Sequence, residues 1–141
     1  MTLKEQLIRD EGGYQKFAYQ DSRGLWTVGY GRCIDRSRGK GVSQTEADLL
    51  LDNDIRDTIG DLTTALPWMF GSLNDARIAV LVNMAFNLGV AGLLEFHKTL
   101  EAVKAGDWEQ AAYHMLDSKW AEQVGERAKE LAKMVQTGDY P

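Results

Sequence analysis

A single cysteine, Cys33, among 141 residues leaves no partner for an intramolecular disulfide and no basis for a multi-cysteine zinc site. It suits a chain made in a reducing compartment, and its ordinary role is that of a small buried hydrophobe. Long apolar runs are also missing. Met1 to Asp10 holds no stretch suited to a signal peptide, and no later segment approaches a membrane span. Accumulation in the cytoplasm, with no stable membrane association, is therefore expected. Positive charge is in deficit: 16 Lys and Arg against 21 Asp and Glu leave a formal net charge of −5, and no basic cluster is interleaved with aromatics, which argues against broad binding to nucleic acid. The same deficit gives no general attraction to an anionic polymer, so any grip on one must come from a local cleft. His97 and His114 lie seventeen residues apart without a companion ligand motif, so no metal site is expected. Repeats, low-complexity tracts and obvious domain linkers are absent.

What remains is the composition of one packed globular domain. Apolar residues make up 44% and charged residues 26% of the chain, and a domain of this length removes roughly two-thirds of its unfolded surface from water. From Thr2 to Glu11, Leu3, Leu7 and Ile8 recur at helical spacing before Gly12-Gly13, which predicts one short helix. Phe17 to Gln20 and Leu25 to Tyr30 are β-prone runs around the turn formers Asp21-Ser-Arg-Gly24, a hairpin signal. Arg32 to Val42 is glycine-rich and polar. Ser43-Gln-Thr-Glu46 is a capping box that starts a long helix through about residue 65. After Pro67 the helical candidates are Asn74 to Leu88, Phe96 to Ala105, Trp108 to Asp117 and Glu126 to Gln136. A second capping box, Asp107-Trp-Glu-Gln110, opens the third of these. The order implies an α+β architecture, with a small N-terminal antiparallel sheet lobe and a mainly helical C-terminal lobe in one domain spanning residues 1–141.

On a helical wheel the mean direction of Leu3, Leu7 and Ile8 lies about 30° from Glu11 and about 70° from Asp10, which turns Glu11 toward the core. A carboxyl group there, at the negative end of a helix dipole and partly desolvated, favours the protonated acid. These are conditions for a general acid, although the commoner role of such a residue is a structural glutamate satisfied by an arginine. Asp21 alone reads as a turn residue that accepts from the backbone of Ser22 to Gly24. Thr27 alone reads as a β-former. In combination they say more: a hairpin can bring Asp21 and Thr27 to one cleft with Glu11 on its far wall, and two carboxyls flanking a bond are the usual equipment of glycosidases. Trp26, Trp68, Trp108 and Trp120 are numerous for this length, with core packing the better default for each.

Glu11, Asp21 and Thr27 are embedded in Asp10-Glu-Gly-Gly13, Ala18-Tyr-Gln-Asp21 and Trp26-Thr-Val-Gly-Tyr-Gly31. With Asn83-Met-Ala-Phe-Asn-Leu-Gly89, Ser118-Lys-Trp120 and Arg127-Ala-Lys129, this order resembles the phage-type lysozyme (endolysin) family that includes the T-even phage enzyme. The resemblance spans most of the chain and implies a lysozyme-like fold. It implies hydrolysis, without a cofactor, of the β-1,4 bond between N-acetylmuramic acid and N-acetylglucosamine in the glycan strands of peptidoglycan. Glu11, Asp21 and Thr27 take the catalytic positions, and Arg127 that of partner to the glutamate. Tyr30, Phe86 and Asn87, which lie in the matching motifs, become candidates for lining or supporting the cleft. A monomer is expected, and the resemblance implies that it is held in the host cytoplasm until a separate membrane-permeabilising phage protein releases it to the wall. Relative to the best-known member, the surplus residue between Glu11 and Asp21 falls at or beside Gly12-Gly13, the segment from Arg32 to Val42 is shorter, and Arg32 replaces a histidine. Whether Arg32 pairs with Asp10 is open at this point. A lytic transglycosylase would need the acid but no water-handling aspartate, and a wall-binding module would need none of the three, so an intact trio disfavours both.

Overall fold

The computed structural model describes residues 1–141 as two compact units, Met1–Leu51 and Asp52–Pro141. Helix α1 spans Leu3–Asp10. A complete capping box opens it: Thr2 Oγ1 accepts from the Glu5 N–H, and the Glu5 carboxylate accepts from the Thr2 N–H, which satisfies two orphan donors at once. The helix stops at Glu11 because Gly12 and Gly13 both take positive φ, +86° and +83°, a conformation costly for residues that carry a Cβ. Strands β1 (Gln15–Gln20), β2 (Trp26–Gly29) and β3 (Arg32–Cys33) form an antiparallel sheet in the order β1-β2-β3. The hairpin was legible in the sequence. The third strand was not, because two residues between polar and glycine-rich neighbours carry no periodicity.

Helix α2 (Gln44–Ala65) opens at the expected capping box, with the Glu46 N–H donating to Ser43 Oγ and the Ser43 N–H donating to Glu46 Oε1. Arg32 does not pair with Asp10. Its guanidinium is bidentate to Glu46, with one arm at 2.9 Å, and also donates to the Gly41 carbonyl at 3.0 Å, while Asp10 pairs with Arg9. One ion pair thus ties β3 to the first turn of α2.

The second unit contains α3 (Met69–Ser72), α4 (Asp75–Leu88), α5 (Val90–Leu94), α6 (His97–Ala105), α7 (Trp108–Leu116), α8 (Lys119–Val124) and α9 (Glu126–Thr137). The four longer helices match the sequence candidates, and α3, α5 and α8 are additional single turns or little more. Asp107 accepts from the Gln110 N–H at 3.2 Å, but its own N–H donates to the Ala102 carbonyl, so only one arm of the second capping box forms. All buried apolar side chains of the chain, from Leu62 to Val135, lie in this unit. Val80, Leu81, Met84, Leu93, Met115 and Val135 form its centre. Arg77 fastens the ends together: it stacks 3.7 Å over the Trp108 ring and donates to the carbonyls of Val135 and Gln136.

Three sequence expectations are corrected. Trp120 is buried, but Trp26 is about half exposed on the sheet: alternation turns its side chain away from the face that holds the buried Thr27. Cys33 is partly rather than fully buried, since its two-residue strand lies at the sheet edge. The apolar stripe of α1 is uncovered, with Leu3 71% exposed and no α1 residue buried. A stripe predicts which side of a helix is apolar, not whether a neighbouring layer covers it. Glu11 is consequently exposed, and desolvation by a core is not its environment. No helix is long and apolar enough to cross a membrane.

Candidate active site

The first unit holds Glu11, Asp21, Thr27 and Tyr30. In the β1–β2 turn, Asp21 Oδ1 accepts from the backbone N–H groups of Arg23 at 2.8 Å and Leu25 at 2.9 Å, and Oδ2 accepts from the Arg23 guanidinium at 3.3 Å. The acceptor-only carboxylate suits two converging N–H groups, and the Leu25 N–H above all holds its pKa below the ordinary 3.8. Asp21 is therefore a carboxylate at neutral pH. Thr27, 3% exposed, lies at the centre of the sheet, paired with Tyr19 on one side and Cys33 on the other. Its hydroxyl donates to the Leu25 carbonyl at 2.9 Å. The same carbonyl accepts from the Asp21 N–H at 2.9 Å.

Leu25 thus joins the two side chains: its N–H positions the carboxylate and its C=O fixes the hydroxyl rotor. With its proton committed to that carbonyl, Thr27 Oγ1 presents lone pairs to any further partner. Strand alternation places Asp21, Leu25 and Thr27 on one face of the sheet and Val28 and Arg32 on the other. Nothing in the sequence marked Leu25, because its part is played by backbone atoms.

Glu11 meets the sheet at its other hairpin. A methyl group at Gly31 would come within 2.7 Å of Glu11 Oε2 and 2.8 Å of Glu11 Cδ and Cγ, and Gly31 has φ +87°. The bare Cα is what allows the Glu11 side chain to lie across the turn between β2 and β3. The glycines of Trp26-Thr-Val-Gly-Tyr-Gly31 were legible as a motif, but this contact was not. Tyr30, beside Gly31, is exposed and packs against Tyr14 with ring centroids 5.9 Å apart.

Phe86, Asn87 and Arg127 belong to the second unit, where α4 organises them. Asn83 Oδ1 accepts from Arg127 Nε at 2.9 Å and Nη2 at 2.6 Å. One turn further on, Asn87 Oδ1 accepts from Trp120 Nε1 at 2.9 Å. The spacing of four puts both amides on one helix face, so Asn83 and Trp120 join the candidates as the partners that orient Arg127 and Asn87. Phe86 is about half exposed and lines a recess of about 290 Å³ with Asp54, Asp57 and Asp61.

Compared with known proteins, residues 9–136 match the family described as phage lysozyme. The chain belongs to the phage lysozyme family. The matched region is accordingly a lysozyme-type glycoside hydrolase, an enzyme class that acts on peptidoglycan. Over 99% of its length the chain is 30% identical to the pre-baseplate central spike protein Gp5 of Enterobacteria phage T4, of which it spans 28%. It is 24% identical to probable T4-type lysozyme 2 of Dictyostelium discoideum, covering 97% of this chain and 95% of that protein. To an endolysin of Acyrthosiphon pisum secondary endosymbiont phage 1 it is 26% identical, over 82% of this chain and 75% of the relative.

Proposed function

We propose that this lysozyme is an endolysin that hydrolyses the β-1,4 bond between N-acetylmuramic acid and N-acetylglucosamine and so lyses the host cell. The observation that carries the reading is the joint anchoring of Asp21 and Thr27 on Leu25, on the same sheet whose next turn cradles Glu11 at Gly31. Glu11 protonates the leaving oxygen. Asp21, ionised and with Oδ2 only lightly engaged, accepts one proton of the attacking water, and Thr27 Oγ1 accepts a hydrogen bond from the other. A water held in this way points its lone pair at the sugar, the geometry of an inverting hydrolysis. Tyr30, Phe86 and Asn87 support the bound glycan, Arg127 acts as partner of the acid by family resemblance, and the chain works as a single catalytic domain and a monomer. Release from the host cytoplasm depends on a separate membrane-permeabilising phage protein.

The test is turbidity clearance of permeabilised cells together with early-time NMR of the new reducing ends. Wild type should clear the suspension and give the inverted anomer, and Glu11→Gln should lose about a hundredfold or more of the activity. Retention of configuration would remove the water-activating role of Asp21. Anhydro-sugar ends would make the enzyme a lytic transglycosylase. A second reading is favoured by the relative in phage T4, a spike protein: the hydrolase would then be carried on the phage particle. Immunodetection of the chain on purified particles, rather than in the cytoplasm alone, distinguishes the two.

A further inference from the structure

On the face of the sheet opposite Asp21 and Thr27 lies a cleft of about 850 Å³, contained within the first unit. Its floor is apolar, formed by Val28 from β2, Val42 from the loop between β3 and α2, and Leu49 and Leu50 from α2. Leu49 and Leu50 remain 62% and 52% exposed, so this is an open trough and not a closed core. The Tyr14–Tyr30 pair forms one wall. Three cations, Lys16, Arg38 and Lys40, stand at the rim, and none of them has a carboxylate partner. The remaining charges of the cleft, Arg32 and Glu46, neutralise each other.

The rim is held in place. Asp35 accepts from the backbone N–H groups of Trp26 and Ser37, and the Gly39 N–H returns to the Asp35 carbonyl while the Lys40 N–H returns to that of Cys33. Gly39 is wound so tightly against this backbone that a methyl group there would meet Asp35 N and Cys33 O at 2.6 Å. Arg38 and Lys40 flank that point. A chain with net charge −5 therefore keeps three unpaired cations together above an apolar floor.

We propose that this cleft is an exosite for the stem peptides of peptidoglycan, on the sheet face opposite Asp21 and Thr27 and meeting the path of the glycan at Tyr30 and Gly31. Stem peptides combine free carboxylates with alanine methyl groups, which complements a cationic rim over an apolar floor. They branch from every second sugar, so a glycan strand on one face of a three-stranded sheet can send a peptide around its edge at Tyr30 and Gly31. The proposal rests on the peptidoglycan reading, and it accounts for how an acidic protein gains a local hold on an anionic polymer.

The test is a binding titration that needs no turnover. The ¹⁵N-labelled full-length protein is titrated with the soluble stem peptide L-Ala-γ-D-Glu-diaminopimelate-D-Ala. Saturable amide shifts are expected at Lys16, Val28, Arg38 and Lys40. In the triple variant Lys16→Gln/Arg38→Gln/Lys40→Gln the affinity should fall roughly tenfold, as three exposed charge contacts of ordinary strength imply. The single variant Lys40→Gln should give an intermediate loss, which keeps the test decisive if the triple variant folds poorly. On peptide-bearing sacculi the triple variant should raise KM with kcat unchanged, and on peptide-free glycan chains it should match wild type. An absence of saturable binding in wild type, unchanged binding in the variants, or binding of phosphatidylglycerol vesicles in place of the peptide would overturn the exosite. Failure of wild type to cut either glycan would sink the hydrolase reading instead, and the peptide titration would still decide the cleft.

Discussion

Leu25 carries no ionisable or polar side chain, yet its N–H and C=O hold Asp21 and Thr27 in register. Substitutions at those two residues should therefore separate charge from shape. Asp21→Asn retains an oxygen to accept from the Leu25 N–H, so the turn should survive while activity falls steeply, as read by unchanged circular dichroism beside turbidity clearance. Thr27→Val keeps the β-branched form but leaves the Leu25 carbonyl without that hydroxyl. It should slow catalysis and cost about 1 kcal/mol, and Thr27→Ser should be milder on both measures. Gly31→Ala tests the cradle under Glu11. Positive φ alone costs a residue with a Cβ about 1–2 kcal/mol, and the methyl group would collide with the Glu11 carboxylate. Loss of activity beyond what the drop in melting temperature explains is the expected result. Full activity in Gly31→Ala would show that the position of Glu11 over this turn has no bearing on the reaction.

At the scale of elements, β3, the loop after it and the start of α2 are joined by one carboxylate. Glu46 accepts from Arg32 and from the Ser43 N–H, and these contacts, the guanidinium foremost, lower its pKa from 4.5 to about 2. A depressed folded-state value means that the associated stability is present above pH 4.5 and disappears as pH falls through about 2. Denaturant melts between pH 2 and 6 should show this acid dependence in wild type and a flatter curve in Glu46→Gln. Ser43→Ala removes the other arm of the box and should cost about 1 kcal/mol near pH 6, and less toward pH 2, because the Ser43 hydroxyl also helps to lower the Glu46 pKa. The capping motif was readable in advance because it consists of neighbours in sequence. Arg32 as the partner of Glu46 was not, since fourteen residues separate them and only the path of the glycine-rich loop brings them together. The short elements β3, α3, α5 and α8 escaped for a related reason: pieces of two to six residues carry too few positions to display a period, and their neighbours hold them in shape.

For the whole molecule, the distribution of burial predicts where stability resides. Every buried apolar side chain belongs to Asp52–Pro141, whereas Thr27 is the one buried residue of Met1–Leu51. Leu93→Ala, at a fully buried position, should destabilise by about 2–5 kcal/mol. Hydrogen exchange should be slowest in α4, α7 and α9 and faster in the sheet, because local opening there exposes little apolar surface. Equal protection in the sheet and in those helices would contradict this ranking.

The sequence by itself determined the helices with a full apolar period, the hairpin around Asp21, the capping box at Ser43 and the family motifs, since each is written in residues close along the chain. Tertiary structure alone decided which backbone groups hold Asp21 and Thr27, that Gly31 makes room for Glu11, that Asn83 receives Arg127, and that Lys16, Arg38 and Lys40 share one cleft. These depend on how loops close and which strand meets which. Local propensity sets the conformation of a segment, but contacts between distant segments are set by the packing of the chain as a whole. The exposed stripe of α1 shows the same division: the sequence placed Leu3, Leu7 and Ile8 on one side of a helix, and packing left that side uncovered.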